Sequence, residues 1–222
     1  MQKKGSTRKQ KGSAIPVPAW PSLEFETQLW TAGLVYVAGI DEVGRGALAG
    51  PVYAAAVILP IRDHIHHELQ GVRDSKQMSP EEREFWAPII REKAVAFALG
   101  RATSKEIDRY GIVPATHLAG RRALKNLEQV PEHLLLDFIT LRKVALPQTA
   151  MVAGDARCLS IAAASVVAKV ARDAELTQLD RRFPGYGFAS HKGYATDEHF
   201  EAIRTLGPCV QHRLSWVTFT PS

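Results

Sequence analysis

Three short apolar runs in this chain each deliver a carboxylate at or just past their C-terminal end. Residues 34–40 lead into Asp41 and Glu42, residues 133–136 into Asp137, and residues 149–154 into Asp155. Apolar runs of four to eight residues read as buried strands rather than helices. In a sheet covered by helices, the carboxyl ends of strands share one edge, and ligands bind along it. Carboxylates gathered there repel one another, which is costly unless a cation offsets the charge. The pattern therefore predicts an α/β sheet with an acidic, cation-binding edge.

The rest of the chain fits that frame. Residues 52–59 read as a second strand, reached by a turn too short to hold a crossover helix, so the sheet should start antiparallel and be mixed. Ser79, Pro80 and Glu82 have the spacing of a capped helix start, and Pro88 should kink or shorten that helix. Residues 94–101 read as a third strand, and 105–110 and 115–127 as helices. Residues 161–179 form a long helical pattern with a small-residue face: Ala162, Ala163, Ala164, Ser165 and Ala168. Residues 197–206 are a terminal helix. No internal repeat or second boundary interrupts this, and 222 residues suit one domain with an appendage.

Hydrophobic residues make up 45% of the chain, enough for an ordinary core, and no run approaches the ~18 apolar residues of a membrane helix. The net charge of +5 resembles a nucleic-acid signal. All of it can be assigned to Lys3, Lys4, Arg8, Lys9 and Lys11, since the first twenty residues hold no acid. Residues 1–22, rich in Gly, Ser and Pro, read as a flexible basic tail that attracts phosphate non-specifically, and residues 23–222 as a single domain. No apolar stretch follows the basic residues, so they are not a secretory leader. Two cysteines make neither a disulfide framework nor a four-cysteine zinc site; a cytoplasmic location is expected.

Oxygen ligands without clustered His or Cys select Mg²⁺ or Mn²⁺ rather than zinc. Two such ions ~3.5–4 Å apart suit phosphodiester hydrolysis. Gly44-Arg45-Gly46-Ala47-Leu48-Ala49 also matches a dinucleotide fingerprint. That reading fails because Pro51 and a strand follow where a helix should open, and because Asp41 and Glu42 would repel a pyrophosphate. His64, His66 and His67 lack a fourth zinc ligand, and Cys158 reads as a small buried residue.

The segment from Asp41 to Pro51, Asp-Glu-Val-Gly-Arg-Gly-Ala-Leu-Ala-Gly-Pro, resembles the signature of the ribonuclease HII family. Further resemblances follow in order: Asp74-Ser75-Lys76 with Ser79, Asp137, Gly154-Asp155-Ala156-Arg157, and Ala163 to Asp173. His191-Lys192-Gly193-Tyr194-Ala195-Thr196 with His199, and His212-Arg213-Leu214-Ser215-Trp216, complete the series. Ala47 stands where the family usually has proline, Phe138 where glycine follows the third acid, and Trp216 where phenylalanine is usual. Of these, Phe138 bears on the turn beside Asp137.

The resemblance implies a ribonuclease H-like α/β fold: a five-stranded mixed sheet flanked by helices, with a helical C-terminal portion. It implies endonucleolytic hydrolysis of RNA in RNA–DNA hybrids and nicking 5′ to single ribonucleotides in duplex DNA, leaving 3′-hydroxyl and 5′-phosphate ends. Asp41, Glu42, Asp137 and Asp155 would be the catalytic acids that hold two Mg²⁺ or Mn²⁺ ions. Gly44, Arg45 and Gly46 would grip the ribose 2′-hydroxyl through the backbone, Tyr194 would stack on the next sugar, and Lys76 would meet phosphate, with Lys192 and Arg213 as weaker candidates. The family expectation is a monomer. A catalytically silent nucleic-acid-binding module on the same fold is the alternative, and the presence of all four acids argues against it.

Overall fold

The computed structural model describes residues 17–62 and 64–216. Most of the expected tail therefore lies outside the described residues. Of its last positions, Pro21 is buried, and Ser22 exchanges backbone hydrogen bonds with Arg157 and Leu159 at 3.0 and 2.9 Å.

Strands β1 (Val37–Val43), β2 (Val52–Ile58), β3 (Ala96–Ala102), β4 (His133–Asp137) and β5 (Gln148–Met151) form one sheet in the order β3-β2-β1-β4-β5. The β1–β2 and β2–β3 pairs are antiparallel, and the β1–β4 and β4–β5 pairs are parallel. This is the mixed sheet expected from the short turn after β1. The helices are α1 (Glu24–Thr31), α2 (Ile65–Glu68), α3 (Pro80–Lys93), α4 (Ser104–Tyr110), α5 (Ile112–Asn126), α6 (Gly154–Arg157), α7 (Leu159–Arg182), α8 (Phe188–His191) and α9 (Asp197–Leu206). None of the described helices is long and apolar enough to cross a membrane.

Side chains alternate across a strand, so β1 serves two cores. Ala38 and Ile40 pack with Leu134, Leu136 and Ala123 on the α5 side. Val37 packs with Leu135, Cys158 and Ile161 on the α7 side. The small-residue face of α7 is buried as expected, from Ala162 to Ala168. It can lie this close because β1 offers a glycine. A Cβ on Gly39 would sit 2.2 Å from the Ser160 carbonyl carbon and 2.4 Å from Ile161 N. On the opposite face, a Cβ on Gly100 would sit 2.1 Å from the Ala119 carbonyl oxygen of α5.

Several local expectations changed. Ser79 and Glu82 form the full capping box, but α3 continues through Pro88. Pro88 and Glu84 are both exposed, so the helical hydrogen bond that proline removes is lost at the surface rather than in the core. The run 149–154 is a strand only to Met151, and left-handed Ala153 (φ 56°) then turns the chain into α6. His66 and His67 lie in the helical turn α2, and both are exposed. Helix α1 falls in a stretch for which no element is predicted above. It is fixed by Glu26, a buried carboxylate that accepts from the Ser160 N–H at 2.8 Å in the first turn of α7.

Gly39→Ala is expected to lower stability by about 3 kcal/mol, because the methyl group meets the backbone of α7 rather than a movable side chain. Urea unfolding measures this; a loss below about 1 kcal/mol would show that the helix–sheet spacing is slack.

Candidate active site

The four predicted acids meet at the carboxyl edge of the sheet. Ile40 of β1 pairs with Leu136 of β4, so Asp41 and Asp137 follow on adjoining strands, about 4.8 Å apart at the backbone. Asp41 and Glu42 lie within β1 rather than beyond it, on opposite faces of the strand. Asp155 is not at a strand end: it stands in the first turn of α6. Gly154 brings it back to the others, since its N–H donates to Asp137 Oδ1 at 2.7 Å. A Cβ on Gly154 would lie only 3.2 Å from the Asp137 Cα.

These acids sit in a costly field. Asp41 is 3% exposed. Burial, then the charge of Glu42, hold its carboxyl well above the usual range, with Asp155 and Asp137 adding to the push and a hydrogen bond from Ser165 opposing it. Burial raises Glu42 as well, against the pull of Arg45, whose guanidinium lies 3.1 Å from it. Asp155 is raised by burial and by Asp74, and lowered by Lys76.

Lys76 is the protein's own cation at this edge. Its Nζ lies 3.3 Å from Asp155 Oδ2 and 3.6 Å from Asp74 Oδ1. Burial pulls its ammonium down, but the charges of Asp41, Asp155 and Asp74 outweigh this and hold it above the ordinary lysine range. The segment around it is built for this. Asp74 caps the turn Ser75–Gln77 by accepting from the Lys76 N–H at 2.9 Å. Buried Ser75 lies 2.8 Å from the Ser165 hydroxyl, the same hydroxyl that serves Asp41. Asp74 and Ser165 were visible in the sequence only as motif neighbours; their roles depend on Asp155, Ser75 and Asp41, far along the chain and beyond the reach of local spacing.

Among the described residues, no three His, Cys, Asp or Glu side chains are gathered tightly enough to hold a metal ion as they stand. The donor chemistry nonetheless fits a hard divalent cation. The donors are all oxygens, and three of the four are held protonation-prone by burial and by one another's charge. Lys76 and Arg45 offset two charges of the set and leave the rest unbalanced.

The glycine turn beside the acids is braced from beneath by two buried arginines. Arg172 of α7 donates to the carbonyls of Pro51 (3.0 Å), Ala49 (3.2 Å) and Lys192 (3.0 Å). Arg213 donates to the carbonyls of Gly44 (2.6 Å), Arg45 (2.7 Å) and Gly50 (3.0 Å). Arg213, expected as a phosphate contact, is 0% exposed and is not placed to meet a phosphate. Gly44 has φ 87°, and a Cβ there would strike Arg172 Nε at 2.1 Å, so packing requires glycine. Gly46 is exposed, with nothing within 4 Å of an added Cβ.

Tyr194 lies in a loop pinned to this turn: Leu48 and Ala49 N–H donate to the Gly193 carbonyl at 2.8 and 3.2 Å. Its ring faces Lys169 Nζ at 5.7 Å and the Arg172 guanidinium at 5.3 Å. Lys192 donates to Thr177 Oγ1 at 3.0 Å. Arg83, Lys169, Arg181, Lys192 and Tyr194 line one groove of about 780 Å³ along α7. Phe138 has φ 58°, the conformation glycine adopts freely, and it is 68% exposed, while Asp137 beside it is half-buried.

Residues 38–219 match the family model described as Ribonuclease HII. The chain is 52% identical over 197 residues to the ribonuclease HII of Synechococcus sp. (strain JA-3-3Ab), covering 88% of each chain. In structure it is similar to the ribonuclease H2 of Pyrococcus horikoshii OT3, with a TM-score of 0.67 and 26% identity, over 83% of this chain and 95% of that one. It is also similar to Bst-RNase HIII in complex with Mn²⁺, with a TM-score of 0.63 and 26% identity, over 78% of this chain and 63% of that one.

A carboxyl raised by the fold stabilises it at low pH, and that stability is lost as pH rises through the folded-state value. At neutral pH an ionised Asp41 is therefore a burden on the metal-free protein. Asp41→Asn is expected to raise its thermal midpoint by a few degrees, with a smaller gain in acid. Calorimetry in chelator checks this; a lower midpoint at neutral pH would contradict it.

Proposed function

The chain belongs to the ribonuclease HII family, a family of ribonucleases acting on RNA–DNA hybrids, and from that premise we propose that it also nicks duplex DNA on the 5′ side of a single embedded ribonucleotide. The products carry 3′-hydroxyl and 5′-phosphate ends, and the protein works as a monomer. One observation carries this reading. The Gly44-Arg45-Gly46 turn presents open backbone at Gly46, directly beside the acidic edge and braced through its carbonyls by Arg213.

A single ribonucleotide differs from its neighbours by one 2′-hydroxyl. A backbone surface without a Cβ lets the chain approach that hydroxyl closely. Arginine bracing keeps the turn from collapsing when no ligand is bound. Tyr194, held to the same turn through Gly193, packs on the sugar that follows. Lys76 meets a phosphate without leaving the acids, since most of its side chain is exposed. Lys192 and Lys169 extend the contact along the groove. The basic residues before position 20 add non-specific phosphate attraction.

Asp41, Glu42, Asp137 and Asp155 are the residues that hold two Mg²⁺ or Mn²⁺ ions. Such ions, when bound, supply a nucleophilic water at neutral pH and offset charge on the leaving oxygen. The residues do the positioning. Gly154 N–H fixes the Asp137 carboxylate, Ser165 fixes Asp41, and Arg45 restrains Glu42.

The test uses the full chain with duplex DNA carrying one ribonucleotide. A nick 5′ to the ribonucleotide is expected with Mg²⁺ or Mn²⁺ and none with chelator. Gly46→Ala should unfold at the same midpoint as the parent and cleave about tenfold or more slowly, roughly 1.4 kcal/mol of lost transition-state stabilisation. Binding without a nick in either metal, or full activity in Gly46→Ala, would overturn the reading.

A further inference from the structure

Behind the Tyr194 loop, three histidine rings pack into one cluster. His191 of α8 stacks on His199 of α9 with ring centroids 4.2 Å apart, and His199 lies 5.2 Å from the His212 ring. Tyr186 and Phe188 close the cluster, with their ring centroids 5.0 and 5.6 Å from His212. His199 and His212 are fully buried.

The hydrogen bonds fix where each proton sits. The Tyr194 carbonyl can only accept, and His199 Nδ1 lies 2.9 Å from it, so Nδ1 carries the hydrogen. In a neutral ring Nε2 is then an acceptor. It faces His212 Nε2 at 3.1 Å, so His212 donates from Nε2. That leaves His212 Nδ1 to accept, and the Cys209 N–H donates to it at 2.9 Å. The Cys209 carbonyl, 3.2 Å from the same nitrogen, would suit the other tautomer of His212. That tautomer would turn the whole chain round and set a bare His199 Nδ1 against the Tyr194 carbonyl. The Tyr194 carbonyl thus sets one direction, and the Cys209 amide accommodates it: from Cys209 through two rings to Tyr194. His191 stands beside this chain on its own backbone partners, accepting from Gly193 N–H at 3.1 Å and donating to the Tyr186 carbonyl at 2.7 Å.

We propose that His199 and His212 are positioning residues for Tyr194, holding the tyrosine loop in its substrate-binding shape only while both rings are neutral. The proposal rests on the reading of Tyr194 as a substrate contact. A second proton on His199 would enter at Nε2 and set two donors face to face at 3.1 Å; one on His212 would enter at Nδ1 and meet the Cys209 N–H. Among the described residues, the titratable groups that face the pair are His191, Tyr186 and Cys209, with exposed Glu198 acting on His191 from outside. None of these, beyond Glu198, brings a compensating negative charge at neutral pH. Burial, the largest cause, pulls His199 down to about 4 and lowers His212 as well. An unlocked loop would titrate near the ordinary ~6.5. Protons therefore favour the unlocked loop as pH falls below about 6.5, and the locked loop holds above it.

The experiment follows KM and kcat for nicking between about pH 7 and 5, together with histidine ¹⁵N spectra of the full chain. The spectra should show Nδ1–H on His199 and Nε2–H on His212 at neutral pH. In the parent, KM should rise roughly three- to tenfold towards acid. His199→Asn can still donate to Tyr194 but cannot titrate; it should keep KM near the parent's at neutral pH and lose most of the acid rise, leaving the part that belongs to His212. His199→Leu should raise KM at every pH with kcat at saturation little changed. The opposite tautomers, or an acid rise in KM as large in His199→Asn as in the parent with the metal ion saturating at each pH, would overturn the proposal. If Tyr194→Ala leaves KM unchanged, the substrate role of Tyr194 fails instead, while the tautomers still judge the hydrogen-bond chain.

Discussion

The close seating of α7 on β1 at Gly39 is the contact on which the rest of the structure depends. Without a Cβ at that point, the helix backbone lies directly against the strand. Every functional group along α7 is then placed by the helix repeat. Ser165 reaches Asp41 and Ser75, Lys169 faces the Tyr194 ring, and Arg172 reaches the carbonyls of the glycine loop. The helix start is fixed from outside by Glu26, whose carboxylate accepts from the Ser160 N–H in the first turn, where negative charge is favoured. A shift of this one helix would disturb the acids, the turn and the groove together.

The same closeness creates the electrostatic problem that defines the site. Four carboxylates share one edge, and Asp41 is almost without water. Lys76 relieves part of the repulsion, with Arg45 restraining Glu42. The fold holds this strain because α7 and the sheet fix the groups on both sides. Two further cations, Arg172 and Arg213, are buried against backbone carbonyls and shape the turn rather than meet ligand. Charge near the site is thus divided between groups that can face a substrate and groups that hold the loop for it.

Much of this was legible in the sequence. The acids at the ends of apolar runs located the site, because a strand's period and its end are local properties. The capping box at Ser79 was legible for the same reason. Asp155 reads as a strand end because Thr149 to Gly154 carries no charge and no break; the left-handed turn at Ala153 carries no side-chain signal. Arg213 looked like a phosphate contact because burial of an arginine depends on carbonyls over 160 residues away in the chain. The histidine chain was present only as scattered letters of two motifs, and its direction appears when Tyr194 and Cys209 are brought to its two ends. The exposed ring of Phe138 shows that a bulky residue can take a glycine-like conformation when it points to solvent.

The central claim is that the acidic edge is held protonation-prone by its own packing until a divalent ion offsets it. Calorimetric titration of the metal-free protein with Mn²⁺, in buffers of different ionisation enthalpy, tests this most directly. Proton release on binding is expected in mildly acidic solution, fading as pH rises through the raised carboxyl range. Mn²⁺ binding of equal strength across that range, with no proton released, would contradict the account.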